Sequence, residues 1–152
     1  MSKFKVQLVT PERSVLAEEA DSISVLTSEG YITILPGHVP LVANLVSGEM
    51  TLKNGNKDHI LHVAGGFIQV KSNSEVILLA DQAEHFEEID LDRAEQAKLA
   101  AEAALKEQTL SDEEYATTAA LLQRNLSRIN IVRKHSHRKT RITSEGVFHS
   151  ND

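Results

Sequence analysis

The sequence predicts a β + α chain: an N-terminal β-sandwich or flattened barrel of about ten strands, followed by an antiparallel hairpin of two helices. Three observations carry this. Apolar residues alternate with a period of two from Phe4 to about Ala80. Turn residues interrupt the alternation every ~8–12 residues, as in sandwiches and barrels. After Asp81 the period lengthens to three and a half. The implied boundaries are 1–86 for the strands, 87–133 for the helices and 134–152 for a basic tail expected to be disordered.

Taken in order, Phe4, Val6 and Leu8 alternate with Lys5 and Gln7, and Thr10-Pro11-Glu12 turns the chain. Val15-Leu16 and Ile23-Ser24-Val25 are short strands, and Ser28-Glu29-Gly30 is a turn. Gly30 to Val42 then forms an apolar strand, a stiff corner and a second apolar strand. Pro36 removes a backbone donor and Pro40 holds Val39 extended, so no ladder continues through them. Gly37 permits a positive φ, which predicts that His38 displays its imidazole at a rigid, exposed tip. Ser47-Gly48 is expected to break the strand leaving the corner, and Asn54-Gly55 to make a hairpin. Gly65-Gly66 marks a bulge or a close approach of backbones. Val76 to Ala80 is apolar enough to be buried on both faces.

Leu91, Ala94, Lys98, Ala101, Leu105 and Gln108 follow one helical seam with Asp90 as N-cap. Ser111-Asp112-Glu113-Glu114 is a capping box opening a second helix, whose seam is Tyr115, Ala119, Leu122, Leu126 and Ile129. Both seams are narrow. Such a hairpin either completes the core permanently or exchanges packing partners as a two-state arm, and spacing alone does not separate these.

At 152 residues the chain suits one domain with an appendage, and 41% hydrophobic with 25% charged residues is ordinary for a globular protein. No apolar run approaches the ~20 residues that cross a bilayer, and no signal peptide follows the N-terminal lysines. Without cysteine there are no disulfides or thiolate metal sites. The net charge of -6 hides an asymmetry: seven acids and one base from Asp81 to Glu95, then no acid from Tyr115 to Ser144. That basic end suits an acidic partner or is a solvated helix face.

No nucleotide-loop, nucleophile-elbow or zinc-protease motif is present. His59 and His62 are three apart, so on a strand they point to opposite faces and do not close on one ion; no metal site is expected. The acidic run Asp81, Glu84, Glu87, Glu88, Asp90, Asp92 reads as a solvated linker favouring a helix N-terminus. Arg124 and Arg128 share a face opposite the Leu122/Leu126 seam and are expected to be free for a carboxylate or a phosphate.

Val9-Thr10-Pro11-Glu12, Leu35-Pro36-Gly37-His38-x-Pro40-Leu41, Ala64-Gly65-Gly66-Phe67-x-x-Val70, Leu78-Leu79-Ala80-Asp81 and Ile89-Asp90-x-x-Arg93-Ala94 resemble, in order and spacing, the epsilon subunit of bacterial F-type rotary ATP synthases. The resemblance covers about residues 3–133. It implies a non-catalytic rotor part on the cytoplasmic face of the cell membrane, bound to the gamma subunit and the c-ring, coupling proton flow to ATP synthesis. It also implies an arm that extends to the alpha and beta subunits and blocks hydrolysis, through Arg124, Arg128, Arg133 and Lys134. At the ring-facing corner it points to Glu29, Tyr31 and His38; an acidic position frequent in the family is Tyr31 here. No cofactor is required, but a weak regulatory ATP would use Glu84, Asp90, Arg93, Ala94, Arg124 and Arg128, with Ala100 replacing one further basic residue. The alternative from the residues is a free-standing ATP-sensing protein; a nucleic-acid binder is disfavoured by the acidic balance and 4% aromatics.

Overall fold

The computed structural model describes the backbone of residues 2–107 and 109–150, and side chains as far as Ser136. The chain divides into two units, Met1–His85 and Phe86–Asp152. The first holds nine strands among the described residues: β1 (Phe4–Val9), β2 (Ser14–Ala20), β3 (Ser22–Thr27), β4 (Gly30–Ile34), β5 (Leu41–Asn54), β6 (Lys57–Ala64), β7 (Phe67–Val70), β8 (Glu75–Leu79) and β9 (Gln82–His85). One layer runs β2-β1-β8-β7-β5, with β1 parallel to β8. The other runs β4-β3-β5-β6-β9. Their facing side chains form the core, where Leu8, Ile23, Ile34, Met50, Leu52, Leu61, Ile68 and Leu78 are fully buried.

β5 belongs to both layers. Leu41–Asn44 pair with β7, whereas Gly48–Asn54 pair with β6. The strand break expected at Ser47-Gly48 is therefore a bend within one 14-residue strand. A Cβ on Gly48 would stand 2.7 Å from Leu26 Cδ2, so the glycine lets Leu26 lie against the strand instead of ending it. The register of β3 against β5 shifts between Val25 and Thr27, at the same level, and such irregularities increase local twist.

The β5–β6 hairpin turns on Gly55-Asn56 between the paired Asn54 and Lys57, with Gly55 at φ +63°. Asp21 accepts the Gly55 N–H at 2.7 Å, and Lys3 lies 3.5 Å from its carboxylate. The Gly55 bond, with Lys3 adding to it, holds the Asp21 carboxyl below its ordinary value. A carboxyl lowered by folding adds stability above its unfolded pKa of about 3.9 and loses it as pH falls through the folded value. Thermal melts of Asp21→Asn are thus expected to fall below those of the parent at pH 7, with the gap closing as pH drops below about 4.

Gly65 and Gly66 have φ of +72° and +96°, and a Cβ on Gly66 would lie 1.9 Å from the Leu79 carbonyl oxygen. This is the close backbone approach read from the sequence. β8 differs from expectation: Val76 and Leu78 are buried, but Leu79 is exposed, so the strand is covered fully on one face only.

The second unit opens with a 3-10 turn, Phe86–Glu88, followed by α1 (Leu91–Leu105) and α2 (Asp112–Ser150). Asp90 caps α1, accepting the Arg93 N–H at 3.2 Å. Ser111 Oγ accepts the Glu114 N–H at 3.1 Å, and its hydroxyl donates to the Glu114 carboxylate at 3.1 Å. Ala94 and Ala101 are buried in the α1 seam, with Leu91, Lys98 and Leu105 half-buried beside them; Gln108 lies outside the described residues. Small alanines let the two backbones approach. On α2 the seam is less apolar than expected: Tyr115 is exposed, and buried Asn125 donates to the Leu121 carbonyl at 2.9 Å. Ile129 and Ile131 are both buried although about 200° apart, so α2 is covered on two sides there.

α2 continues to Ser150 where the sequence reading has a disordered tail. The three prolines lie before residue 41 and the next glycine after Gly66 is Gly146, so no breaker interrupts the arginine- and lysine-rich run up to residue 145.

Candidate functional site

Local chemistry builds the corner between β4 and β5. His38 N–H donates to the Leu35 carbonyl at 3.1 Å, with Pro36 and Gly37 (φ +80°) at the two central positions of a type II turn. Tyr31, Leu35 and Val39 are 62%, 56% and 70% exposed, so the corner presents apolar side chains. His38 is not the displayed ring that the sequence predicts. It is half-buried, with Nδ1 2.7 Å from the Val39 carbonyl oxygen. Because a carbonyl only accepts, Nδ1 is the donor in this contact. Glu29 is exposed on an adjoining turn, which the buried Thr27 hydroxyl pins by donating to the Gly30 carbonyl at 2.7 Å and accepting the Glu29 N–H at 3.2 Å. That turn lies against β5, since the Ser28 N–H donates to the Asn44 carbonyl at 3.0 Å.

A second surface was not legible in the sequence. Phe67 pairs with Leu79 on one side and Asn44 on the other, and Val42 pairs with Gln69. Their neighbours Ile68, Val70 and Leu78 face the core, so Val42, Phe67 and Leu79 emerge together on the outer face. The three thus form one exposed group of large apolar side chains on a strand face. Each belongs to an ordinary alternating strand, and only the pairing joins them.

In the helical unit, Arg124 and Arg128 are half-buried rather than free. Arg128 donates to Asn125 Oδ1 at 3.2 Å, while Arg124 Nε is out of solvent with no acceptor. Arg133 and Lys134 are exposed, and Arg133 Nη2 lies 2.8 Å from Glu95 Oε1. Of the residues expected around a nucleotide, Asp90 and Arg93 are joined by the helix cap, and Ala94 has no exposed surface. Glu84 lies on β9 of the strand unit, 3.8 Å from Nδ1 of the buried His62. His59, on the opposite face of β6, lies 3.0 Å from Glu18 of β2, so the two histidines diverge as strand alternation requires.

The family model for the β-sandwich domain of the ATP synthase delta/epsilon chain matches residues 3–86. That for the long α-helix domain of the same chain matches residues 87–133. The ATP synthase epsilon chain of Dehalococcoides mccartyi is 41% identical over 134 residues, 88% of this chain and 95% of that one. The epsilon chain of Geobacter metallireducens is 41% identical over 132 residues, 87% and 95% of the two chains. In fold, the chain is similar to one from the Euglena gracilis mitochondrial ATP synthase, with a TM-score of 0.72 at 24% identity, covering 84% of this chain and 79% of that one. The two family models together match residues 3–133 and the relatives pair with most of the chain's length, so this chain belongs to the family of ATP synthase epsilon chains.

Proposed function

We propose that this chain is a non-catalytic rotor subunit in the central stalk of a proton-translocating F-type ATP synthase, held on the cytoplasmic face of a bacterial membrane through the complex. The observation that carries this reading is a pair of exposed apolar surfaces on a chain whose two halves both match the family. The outer face with Val42, Phe67 and Leu79 grips the gamma subunit. The corner, with Glu29, Tyr31 and His38, rests on the c-ring, so rotation of the ring reaches the shaft through a rigid sandwich. The helices inhibit ATP hydrolysis by extending to the alpha and beta subunits, where Arg124, Arg128, Arg133 and Lys134 meet carboxylates. A weak regulatory ATP on Asp90, Arg93, Arg124 and Arg128 of the helical unit opposes extension; the Arg124 Nε, which lacks an acceptor, supports a phosphate or carboxylate there.

Affinity purification of the tagged chain from its own cells tests the rotor reading. The gamma subunit and c-ring are expected to co-purify, and Val42→Glu with Phe67→Glu is expected to lower gamma recovery about 30-fold, the effect of removing a hot spot of ~2 kcal/mol. Recovery of the tagged chain without other synthase subunits would sink the reading.

A further inference from the structure

Arg133 has two carboxylate partners open to it. One is the acidic surface that the proposed function gives it after extension. The other is Glu95 of α1, whose Oε1 lies 2.8 Å from Arg133 Nη2. Neither side chain has a closer claim on its own helix. The residues three and four places from Arg133 are Ile129, Asn130, Ser136 and His137, none of them acidic. On α1, the one cation within reach of Glu95 is Lys98, and Lys98 lies 3.8 Å from Glu102. Two residues beyond Arg133, the ring of His135 stands 5.7 Å from that of buried Phe86, in the turn that precedes α1. An ion pair and a ring contact thus tie α2 to the entrance of the helical unit at the same level. The match to the family's helix model ends at residue 133, so the tie sits at the end of the matched segment, within an α2 that runs on to Ser150.

We infer that Glu95–Arg133, backed by Phe86–His135, is a latch on the hairpin, with Glu95 the internal competitor for the arginine that extension commits elsewhere. Its regulatory consequence rests on the proposed function; its existence does not. Opening exchanges one carboxylate for another at Arg133, so the closed and extended forms differ little in the pairing of this residue. A change at Glu95 acts on the closed form alone. The pair is exposed enough that its release changes the ratio of open to closed hairpin modestly, about two- to five-fold.

The chain has no cysteine, so the exposed Asp92 and Asn130 take spin labels specifically after D92C and N130C. Distances are measured by electron resonance in the full chain carrying Glu95→Gln, Arg133→Gln, or the exchange Glu95→Arg with Arg133→Glu. Amide exchange over residues 129–134 in the same substitutions without labels reports opening even when it is rare. Each single substitution is expected to raise the open fraction or the exchange rate about two- to five-fold, the charge exchange to restore it, and 0.5 M salt to erase the difference. Unchanged distances and exchange in Glu95→Gln would overturn the latch. In the assembled complex, Glu95→Gln is expected to deepen inhibition of hydrolysis. Faster opening with unaltered hydrolysis keeps the latch and sinks the inhibitory reading instead.

Discussion

Removal of everything after Glu88 is expected to leave the strand unit folded and coupled to rotation, while ATP hydrolysis by the assembled complex rises about five-fold or more. The magnitude is that of an ordinary coupling free energy between two sites, ~1 kcal/mol or above. The physical basis is the division of the chain after His85. The principal core cluster is drawn wholly from residues 4–80, whereas Ala94, Ala101, Ile129 and Ile131 are buried on the helices. Thermal melting and hydrolysis assays on the full and shortened chains check both halves of the expectation. Titration calorimetry on the same pair checks the nucleotide: a heat of ATP binding to the full chain is expected to vanish in the shortened one. A shortened chain that unfolds would show the helices to be part of the core, and unchanged hydrolysis would remove the inhibitory role.

Gly66→Ala is expected to be among the most damaging single substitutions, lowering stability by about 3 kcal/mol. The positive φ alone costs ~1–2 kcal/mol for a residue with a Cβ, and the methyl group adds an overpacking cost of ~1–3 kcal/mol. The neighbour is backbone, the Leu79 carbonyl oxygen at 1.9 Å from the added carbon, so no side-chain rotation relieves it. The strand must shift, and with it the exposed Leu79 beside Phe67. Denaturant melts of the isolated chain read the loss, and gamma recovery is expected to fall with it. Gly37→Ala provides the comparison: its φ is +80° but nothing lies within 4 Å of the added carbon, so only the conformational cost applies. Equal losses at the two sites would show that the Leu79 approach is unimportant.

Much of the architecture was legible because it is written in short stretches of chain. The alternation of Phe4, Val6 and Leu8, the two prolines around Gly37, the Asp90 and Ser111 caps and the alanine seam each depend on a few consecutive residues. Their physics is local: allowed φ, a missing donor, a helical or pleated period. The orientation of His38 was not legible, since its backbone N–H closes the turn whichever way the ring points, and the contact of Nδ1 with the Val39 carbonyl is seen only in the folded chain. The partial burial of Arg124 and Arg128 escaped the helical wheel because a wheel assumes one covered side, and Ile129 and Ile131 show two. Gly48 reads as a break in the sequence alone because residue order does not reveal that Leu26 lies against it.

The sequence by itself determined the two halves of this protein, the stiff corner, the helix starts and the membership that its motif order announces. Only the tertiary structure decided that β5 serves both layers, that β1 lies parallel to β8, that Val42, Phe67 and Leu79 share one outer face, and that Arg133 meets Glu95. The division follows from the range of the forces. Backbone preference and periodicity act over a turn or a strand, whereas which distant segments pair is settled by filling one common core, in which each strand's partner depends on all the others.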